Sequence, residues 1–475
     1  MQTEILTSDE KGLTRAAEIL RAGETVAFPT ETVYGLGADA TNPSAVEKIF
    51  KAKGRPSDNP LIVHIAEKDA LFEIVREIPK KAELLMKKFW PGPLTIIMKK
   101  SENIPDSVSA GLDTVGVRMP ESETARNFIR LSGRPVAAPS ANISGRPSPT
   151  TFQDVCQDMN GRAAAILEGE ASKVGVESTV IDMTSDIPTV LRPGGITLSQ
   201  LREAIGEVAL SSDEKDSKTP KAPGMKYRHY APKARVHILK GSLSEVKEFL
   251  EKKKGFVEKI GVLCFDEMIN ELSGLVETVS LGKMNCPEEA ASKLFSALRK
   301  MDELGVDLIF APEIPDDGLW LAVKNRLYKA AAGSIIDVKD LKALLFICMG
   351  NTCRSPMAEG IFAQVNKNVI ASSAGLAAGG EGANEKAILA AKKYGADISA
   401  HKSKTVTIEM LKAADVVVTM TESIKSILPF PEKTVTFYEL AGESGDIADP
   451  FGQSQEVYES CAREIKRLSE KCVEI

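Results

Sequence analysis

The seven cysteines, at 156, 264, 286, 348, 353, 461 and 472, form no CxxC pair, no Cys/His cluster of zinc spacing and no even framework. That excludes a zinc-bound or disulfide-stapled scaffold and leaves free thiols in a reducing cytosol. No stretch reaches the roughly 18 consecutive apolar residues of a membrane span. The opening Met-Gln-Thr-Glu-Ile-Leu-Thr-Ser-Asp-Glu has neither a basic start nor an apolar run. A cytoplasmic chain without membrane contact is therefore expected. A net charge of -6 and a pI near 5.6 argue against a chain-wide nucleic-acid surface, so no strong direct nucleic-acid binding is expected and any anion must be captured locally. Internal repeats, coiled-coil heptads and a Gly-x4-Gly-Lys-Ser/Thr phosphate loop are also missing.

What is present is 475 residues with 43% hydrophobic and 27% charged content, enough for about three domains. Residues 1–208 mix β-rich runs (25–28, 61–65, 94–98) with amphipathic helices (45–52, 81–89), an α/β pattern. A polar stretch at 210–221 reads as linker, and 209–233 is assigned to a linker carrying the Pro-bounded Ala-Pro-Gly-Met-Lys-Tyr-Arg-His-Tyr-Ala-Pro (222–232). From 234 to 338, strands (236–239, 260–265, 308–311) alternate with helices (243–254, 287–304, 319–331), as in βαβ units around a parallel sheet. A third segment, 339–475, opens with an apolar strand ending at Cys348 and has the same alternation, hence a doubly wound parallel sheet.

Cys348 and Arg354 stand in a Cys-x5-Arg relation between that strand and a helix beginning near Pro356. A loop of this length wraps a tetrahedral phosphoryl group, with backbone N–H groups and a helix N-terminus aimed at its oxygens. Arg354 can grip two oxygens in a fork, and the same positive field favours a thiolate nucleophile at Cys348. The wider pattern, CxGNxCRSPMAE with Ser-Ala-Gly (373–375), His401-Lys-Ser and Ala-Asp-Val-Val-Val-Thr-Met (414–420), resembles the low-molecular-weight protein tyrosine phosphatase family across the whole third segment. The resemblance implies a metal-free, cofactor-free phosphatase acting on a phosphoprotein. Cys348 is then the nucleophile, the loop is completed by Gly350, Asn351, Thr352, Cys353 and Ser355, and Asp449 of Asp449-Pro450 is the general acid. Asp446 is the rival carboxylate, read as a turn residue. Thr352 stands where tyrosine-specific members usually carry a larger apolar residue and the arginine phosphatase branch carries threonine, which favours phosphoarginine over phosphotyrosine. Cys353 raises the option of a reversible disulfide with Cys348.

In the first segment, Phe28-Pro-Thr-Glu-Thr-Val-Tyr-Gly-Leu-Gly37 occurs with Lys51-Ala-Lys53-Gly-Arg55-Pro, Asn59-Pro-Leu, Trp90-Pro-Gly-Pro-Leu-Thr95, Val117-Arg-Met-Pro120, Ala138-Pro-Ser-Ala-Asn142, Glu177-Ser-Thr179 and Leu191-Arg-Pro-Gly194. Together these resemble the YrdC-type L-threonylcarbamoyladenylate synthases. The tyrosine-rich segment and the small α/β unit, expected to be Rossmann-like, extend the match to the long, two-domain form over about 1–338. The resemblance implies L-threonine, bicarbonate and ATP as substrates, Mg2+ with the nucleotide, and the tRNA threonylcarbamoyl-transfer machinery downstream. Matched by motif, Lys53, Arg55, Asn59, Thr114, Ser140, Asn142, Ser148, Arg192 and Tyr230 would bind ATP, and Thr32, His64, Arg118 and Ser178 would bind threonine. Lys53, Arg55, Arg118 and Arg192 suit a reaction that must bring two anionic substrates together. The competing readings are an RNA-binding module and the carbamoyl-transfer module of hydrogenase maturation, whose acylphosphatase and zinc-finger segments are absent here.

Overall fold

The computed structural model describes residues 2–57, 59–211, 230–257, 259–366 and 368–472, so most of the expected linker and its Pro-Gly-Met-Lys-Tyr-Arg-His part lie outside the described residues. Helix limits follow local chemistry. The helix Pro43–Lys53 starts with the Asn42 side chain accepting from Ser44 and Ala45 N–H and stops at Gly54, whose φ of 66° is left-handed. The helices Phe152–Met159, Leu198–Ile205 and Leu243–Lys252 each begin in a reciprocal capping box.

In the first unit, strands join into one mixed sheet in the spatial order Glu4–Leu6, Ala165–Leu167, Val26–Phe28, Gly35–Asp39, Val136–Ala138, Ile62–His64, Thr114–Arg118, Leu94–Lys99, Thr179–Asp182, Thr189–Arg192 and Ala209–Leu210. Ala209 and Leu210, placed in the linker by composition, pair in parallel with Thr189 and Val190 and extend the sheet. Two apolar residues suffice to add an edge strand before the polar run begins. Pairing of Ile62 with Gly116 and of His64 with Arg118 puts the last two side by side at one sheet end.

The second unit is a five-stranded, all-parallel sheet in the order Glu277–Ser280, Ile260–Cys264, Leu308–Pro312, Arg235–Lys240, Ile335–Asp337. Its strands alternate between two cores. Val236, Ile238, Leu263, Ile309 and Ala311 pack with the helices Pro287–Leu304 and Trp320–Ala330 and with Val33, Val176 and Tyr230 of the first unit and its linker. Leu239, Val262, Cys264, Leu308 and Phe310 face the opposite way.

That second face does not stop at its own helices. Its apolar cluster runs on into Ala343, Leu345, Ile347, Met410, Leu411 and Val417 of the third unit. There, four parallel strands lie in the order Val369–Gly375, Lys342–Cys348, Val416–Thr419, Thr434–Thr436. Leu344, Phe346 and Val418 point to the other side, onto the helices Arg354–Val365 and Gln455–Lys471. At the seam the ammonium of buried Lys253 donates to Asp415 Oδ1 (2.6 Å) and to the Ala413 carbonyl (3.1 Å), while Asp415 Oδ2 accepts from Ala343 N–H (2.7 Å). One carboxylate thus ties the second unit to the strand that leads to Cys348.

Because Asp415 remains partly solvated, Lys253→Met should cost about 1–2 kcal/mol of local stability. Hydrogen exchange at the amides of Ala343 and Asp415 should quicken by about tenfold. Unchanged exchange there would show that the seam bears no load.

Candidate functional sites

The first site is a cleft at the end of the mixed sheet. Ten of the thirteen residues expected there line it: Thr32, Lys53, Arg55, His64, Arg118, Ser140, Asn142, Ser178, Arg192 and Tyr230. Asn59, Thr114 and Ser148 do not. Asn59 is wholly buried behind Arg55, whose Nη2 donates to its carbonyl (3.4 Å), and its side-chain amide has no partner among the described residues. Thr114 begins the strand that ends at Arg118, about 13 Å away at strand rise. Ser148 gives its hydroxyl to Glu177 (2.7 Å).

Buried charge in the cleft comes in pairs. Arg118 donates to Thr32 Oγ1 (2.8 Å) and to Glu31 Oε1 (2.6 Å). Burial opposes ionisation of Glu31, but the Arg118 guanidinium overrides it and holds the carboxyl below its ordinary range. Arg192 donates to the carbonyl and hydroxyl of Ser178 (both 3.1 Å), and that hydroxyl also meets Thr95 Oγ1 at 2.8 Å. Burial first, then neighbouring Arg326, bring Arg192 down to about 10. For Glu177 burial again works against charge, yet Arg326 and Arg192 hold it at about 2.

Lys53 is spent differently from expectation. Its ammonium donates to the carbonyls of Ser140 (2.5 Å) and Asn142 (2.7 Å) and to Asn142 Oδ1 (3.3 Å), which pins the 140–144 loop at the cleft wall. Burial, followed by Arg55, pulls it well below the usual lysine value. His64, edge-on to Phe28 at 5.9 Å, is brought to about 3 by burial and then by Arg118, so its imidazole is neutral.

Sequence reasoning passed over Glu31, Glu177 and Arg326. Each carried a signal: Glu31 and Glu177 sit inside quoted motifs, and Arg326 falls on the apolar stripe Ala322, Val323, Leu327, Ala330 of its helix, where a charge demands a partner.

The second site is the loop from Cys348 to Ser355. Cys348 Sγ accepts from Asn351 N–H (3.2 Å) and lies 3.0 Å from Ser355 Oγ. Asn351, at a left-handed φ of 54°, is held by its amide, which donates to Ser355 and Ser373 hydroxyls (2.9 Å each) and accepts from Lys404 N–H (3.0 Å). Its carbonyl meets His401 Nε2 at 2.8 Å. Gly375 lets the loop pass close by, since a Cβ there would sit 2.6 Å from the Met349 carbonyl oxygen. No side chain caps the helix Arg354–Val365, so its first N–H groups face the loop. Buried Arg354 donates to Asp449 Oδ2 (2.5 Å) and to the Ile447 carbonyl (3.2 Å), while Asp449 is half exposed at 49%. Asp446 accepts from Glu422 N–H (2.8 Å) and caps that turn. Cys353 is buried, with Sγ 3.4 Å from the Tyr458 hydroxyl and 3.6 Å from Thr352 Oγ1.

An anion-collecting cleft and a cysteine loop at a helix N-terminus are the marks of a nucleotide-using enzyme joined to a cysteine-dependent phosphatase. Residues 18–194 match the family described as telomere recombination (Sua5, YciO, YrdC) and 196–332 match the threonylcarbamoyl-AMP synthase C-terminal domain. Residues 343–474 match the low molecular weight phosphotyrosine protein phosphatase family. A threonylcarbamoyl-AMP synthase of Pyrococcus abyssi is 49% identical over 332 residues, 68% of this chain and 95% of that one. A crystal structure of P. abyssi Sua5 complexed with L-threonine aligns at 47% identity and a TM-score of 0.66, covering 71% of this chain and 99% of that one. The third unit is similar to a low molecular weight protein tyrosine phosphatase from T. tengcongensis (42% identity, 28% of this chain, 98% of that one, TM-score 0.27). It is likewise similar to the arginine phosphatase YwlE from Geobacillus stearothermophilus (36%, 28%, 91%, 0.27). The chain belongs to the threonylcarbamoyl-AMP synthase family, with a low-molecular-weight phosphatase unit fused behind it, and both parts are enzymes. Among the described residues no helix is long and apolar enough to cross a membrane.

The paired charges carry a pH signature. An unfolded histidine binds a proton below about 6.5 while native His64 does not until about 3, so stability falls as pH drops through that window. Glu177, lowered from 4.5 to about 2, contributes stability above 4.5 that is lost as pH falls toward 2. Urea midpoints measured against pH should therefore decline below 6.5, and less steeply in His64→Gln. An equal slope in the variant would contradict the assignment.

Proposed function

We propose that residues 1–338 make threonylcarbamoyl-AMP, and that 339–475 dephosphorylate a protein, with phosphoarginine the preferred substrate. The observation that carries the first part is the single cleft that gathers Thr32, His64, Arg118 and Ser178 with Arg55, Ser140, Asn142, Arg192 and Tyr230. Glu31 is paired with Arg118 and Glu177 with Arg326, and Arg55 and Arg192 also line the cleft, a cation-rich wall suited to anionic substrates. L-Threonine and bicarbonate combine, with loss of water, to the carbamate. A carbamate oxygen attacks the α-phosphorus of ATP, and the bond to the β-phosphate oxygen breaks, releasing diphosphate. The residues' part is positioning: Arg118 and Thr32 hold the amino acid, Arg192 and Ser178 the junction, and Tyr230 covers the nucleotide. Mg2+ would accompany the triphosphate, whose oxygens would hold it and whose charge it would offset.

In the third unit, Cys348 thiolate attacks the phosphorus while Asp449 protonates the leaving nitrogen or oxygen. Asp449 then takes a proton from the water that cleaves the cysteinyl phosphate. Arg354, now paired with Asp449, is placed to turn its fork to the phosphoryl oxygens. The half-buried hydroxyl of Thr352 at the loop supports a guanidinium leaving group; exposed Met349 (50%) and Phe451 (67%) favour the phosphotyrosine alternative.

Diphosphate release from ATP should require both threonine and bicarbonate. Tight tRNA binding without that release would favour the RNA-binding reading instead. On matched peptides, kcat/KM should be higher for phosphoarginine, and Thr352→Ile should move the ratio toward phosphotyrosine by about tenfold, ~1.4 kcal/mol. A wild type that prefers phosphotyrosine would overturn the substrate assignment.

A further inference from the structure

Arg118 is the last residue of the strand Thr114–Arg118, and its side chain reaches the loop 30–33 at the cleft wall. Among the described residues three of its five N–H groups are engaged, one on each nitrogen. Nε donates to the Gly92 carbonyl (3.4 Å), Nη1 to Thr32 Oγ1 (2.8 Å) and Nη2 to Glu31 Oε1 (2.6 Å). One N–H on each terminal nitrogen is left, which is what a carboxylate takes in a two-pronged contact. The shortest of the three bonds, and the charged one, is that to Glu31.

Glu31 is buried and braced, and it is not among the residues that line the cleft. Its carbonyl accepts the Val174 N–H (2.8 Å), its second carboxylate oxygen accepts the Ser122 N–H (3.4 Å), and Ser172 gives its hydroxyl to the preceding Thr30 carbonyl (3.0 Å). The hydroxyls beside it have a fixed sense. Thr30 uses its one hydroxyl hydrogen on the Val33 carbonyl (2.6 Å), so across the 2.9 Å between Thr30 and Thr32 it is Thr32 that donates, and Thr32 Oγ1 turns a lone pair to Arg118. Two successive residues of one braced loop thus clamp both ends of the guanidinium fork.

We infer that Glu31 is a positioning residue for the amino-acid end of the cleft: from behind the wall it aims the Arg118 fork so that the two remaining N–H groups meet the substrate carboxylate. This rests on the synthase reading, in which Arg118 and Thr32 hold threonine. What matters is then the reach of the Glu31 side chain rather than its charge. A glutamine keeps that reach and an acceptor opposite Nη2, its NH2 meets only the long contact from Ser122, and the incoming carboxylate supplies the counter-charge to Arg118. An aspartate keeps the charge but is one methylene shorter, so it either loses Nη2 or draws the fork away from its ligand.

The test compares wild type, E31D and E31Q by steady-state diphosphate release and by calorimetric titration with threonine and with ATP. E31D should raise the KM and Kd for threonine at least tenfold and leave those for ATP within twofold. E31Q should hold both ligands within threefold of wild type. Threonine values in E31D within threefold of wild type overturn the inference. So does the reverse order, with threonine weaker in E31Q than in E31D, which marks charge compensation. A parallel rise for threonine and ATP in E31D also overturns it, marking a merely structural role. If E31Q does not fold, E31D decides alone through the contrast between its two ligands. If the wild type binds threonine but releases no diphosphate, the synthase reading fails by itself and the titrations still decide; a wild type that binds no threonine overturns the inference as well.

Discussion

Two buried guanidinium–carboxylate pairs, Arg118 with Glu31 and Arg326 with Glu177, set what the first cleft can hold. A buried charge without a partner is costly enough that it would lose its proton or gain one. Pairing removes that cost and gives direction, because each arginine fork also binds a second group, Thr32 in one case and the Pro193 carbonyl in the other. Arg55 and Arg192 also line the cleft. The two pairs are separate electrostatic units within one cleft.

The second site solves the anion problem by other means. The Asn351 N–H meets the sulfur, the uncapped helix Arg354–Val365 begins at the same loop, and Arg354 is paired with Asp449. What keeps that loop in shape is the Asn351 amide, which spans Ser355, Ser373 and Lys404 while its own backbone takes a left-handed turn. Serine 373 and His401, known from the sequence only as parts of motifs, thus acquire jobs as loop supports.

Much of this was legible in the chain. Strands 236–239 and 308–311 alternate apolar residues over both faces, as a sheet buried on both sides must, and Pro287–Leu304 announces its ends with a first-turn proline and a left-handed Gly305. Ten cleft residues came together because their motifs lie at strand ends and turns that the mixed sheet collects at one edge. The antiparallel neighbours that make the first sheet mixed were not legible, since three-residue strands such as Val136–Ala138 carry too little pattern. Nor were the contacts between units. Lys253 reads as one more lysine in Glu-Lys-Lys-Lys until Asp415 is seen 162 positions further on, and Arg326 gains meaning only beside Glu177. Long-range pairing leaves no local trace beyond a charge on an apolar face.

On the proposed reading, one chain carries two anion sites that work independently despite the packing the units share. The most direct measurement follows threonine-dependent diphosphate release and p-nitrophenyl phosphate hydrolysis in the same preparations of Cys348→Ser and of Arg118→Ala. Each substitution should abolish one activity and leave the other within twofold of wild type. Loss of both activities from either single change, with the fold intact, would contradict it.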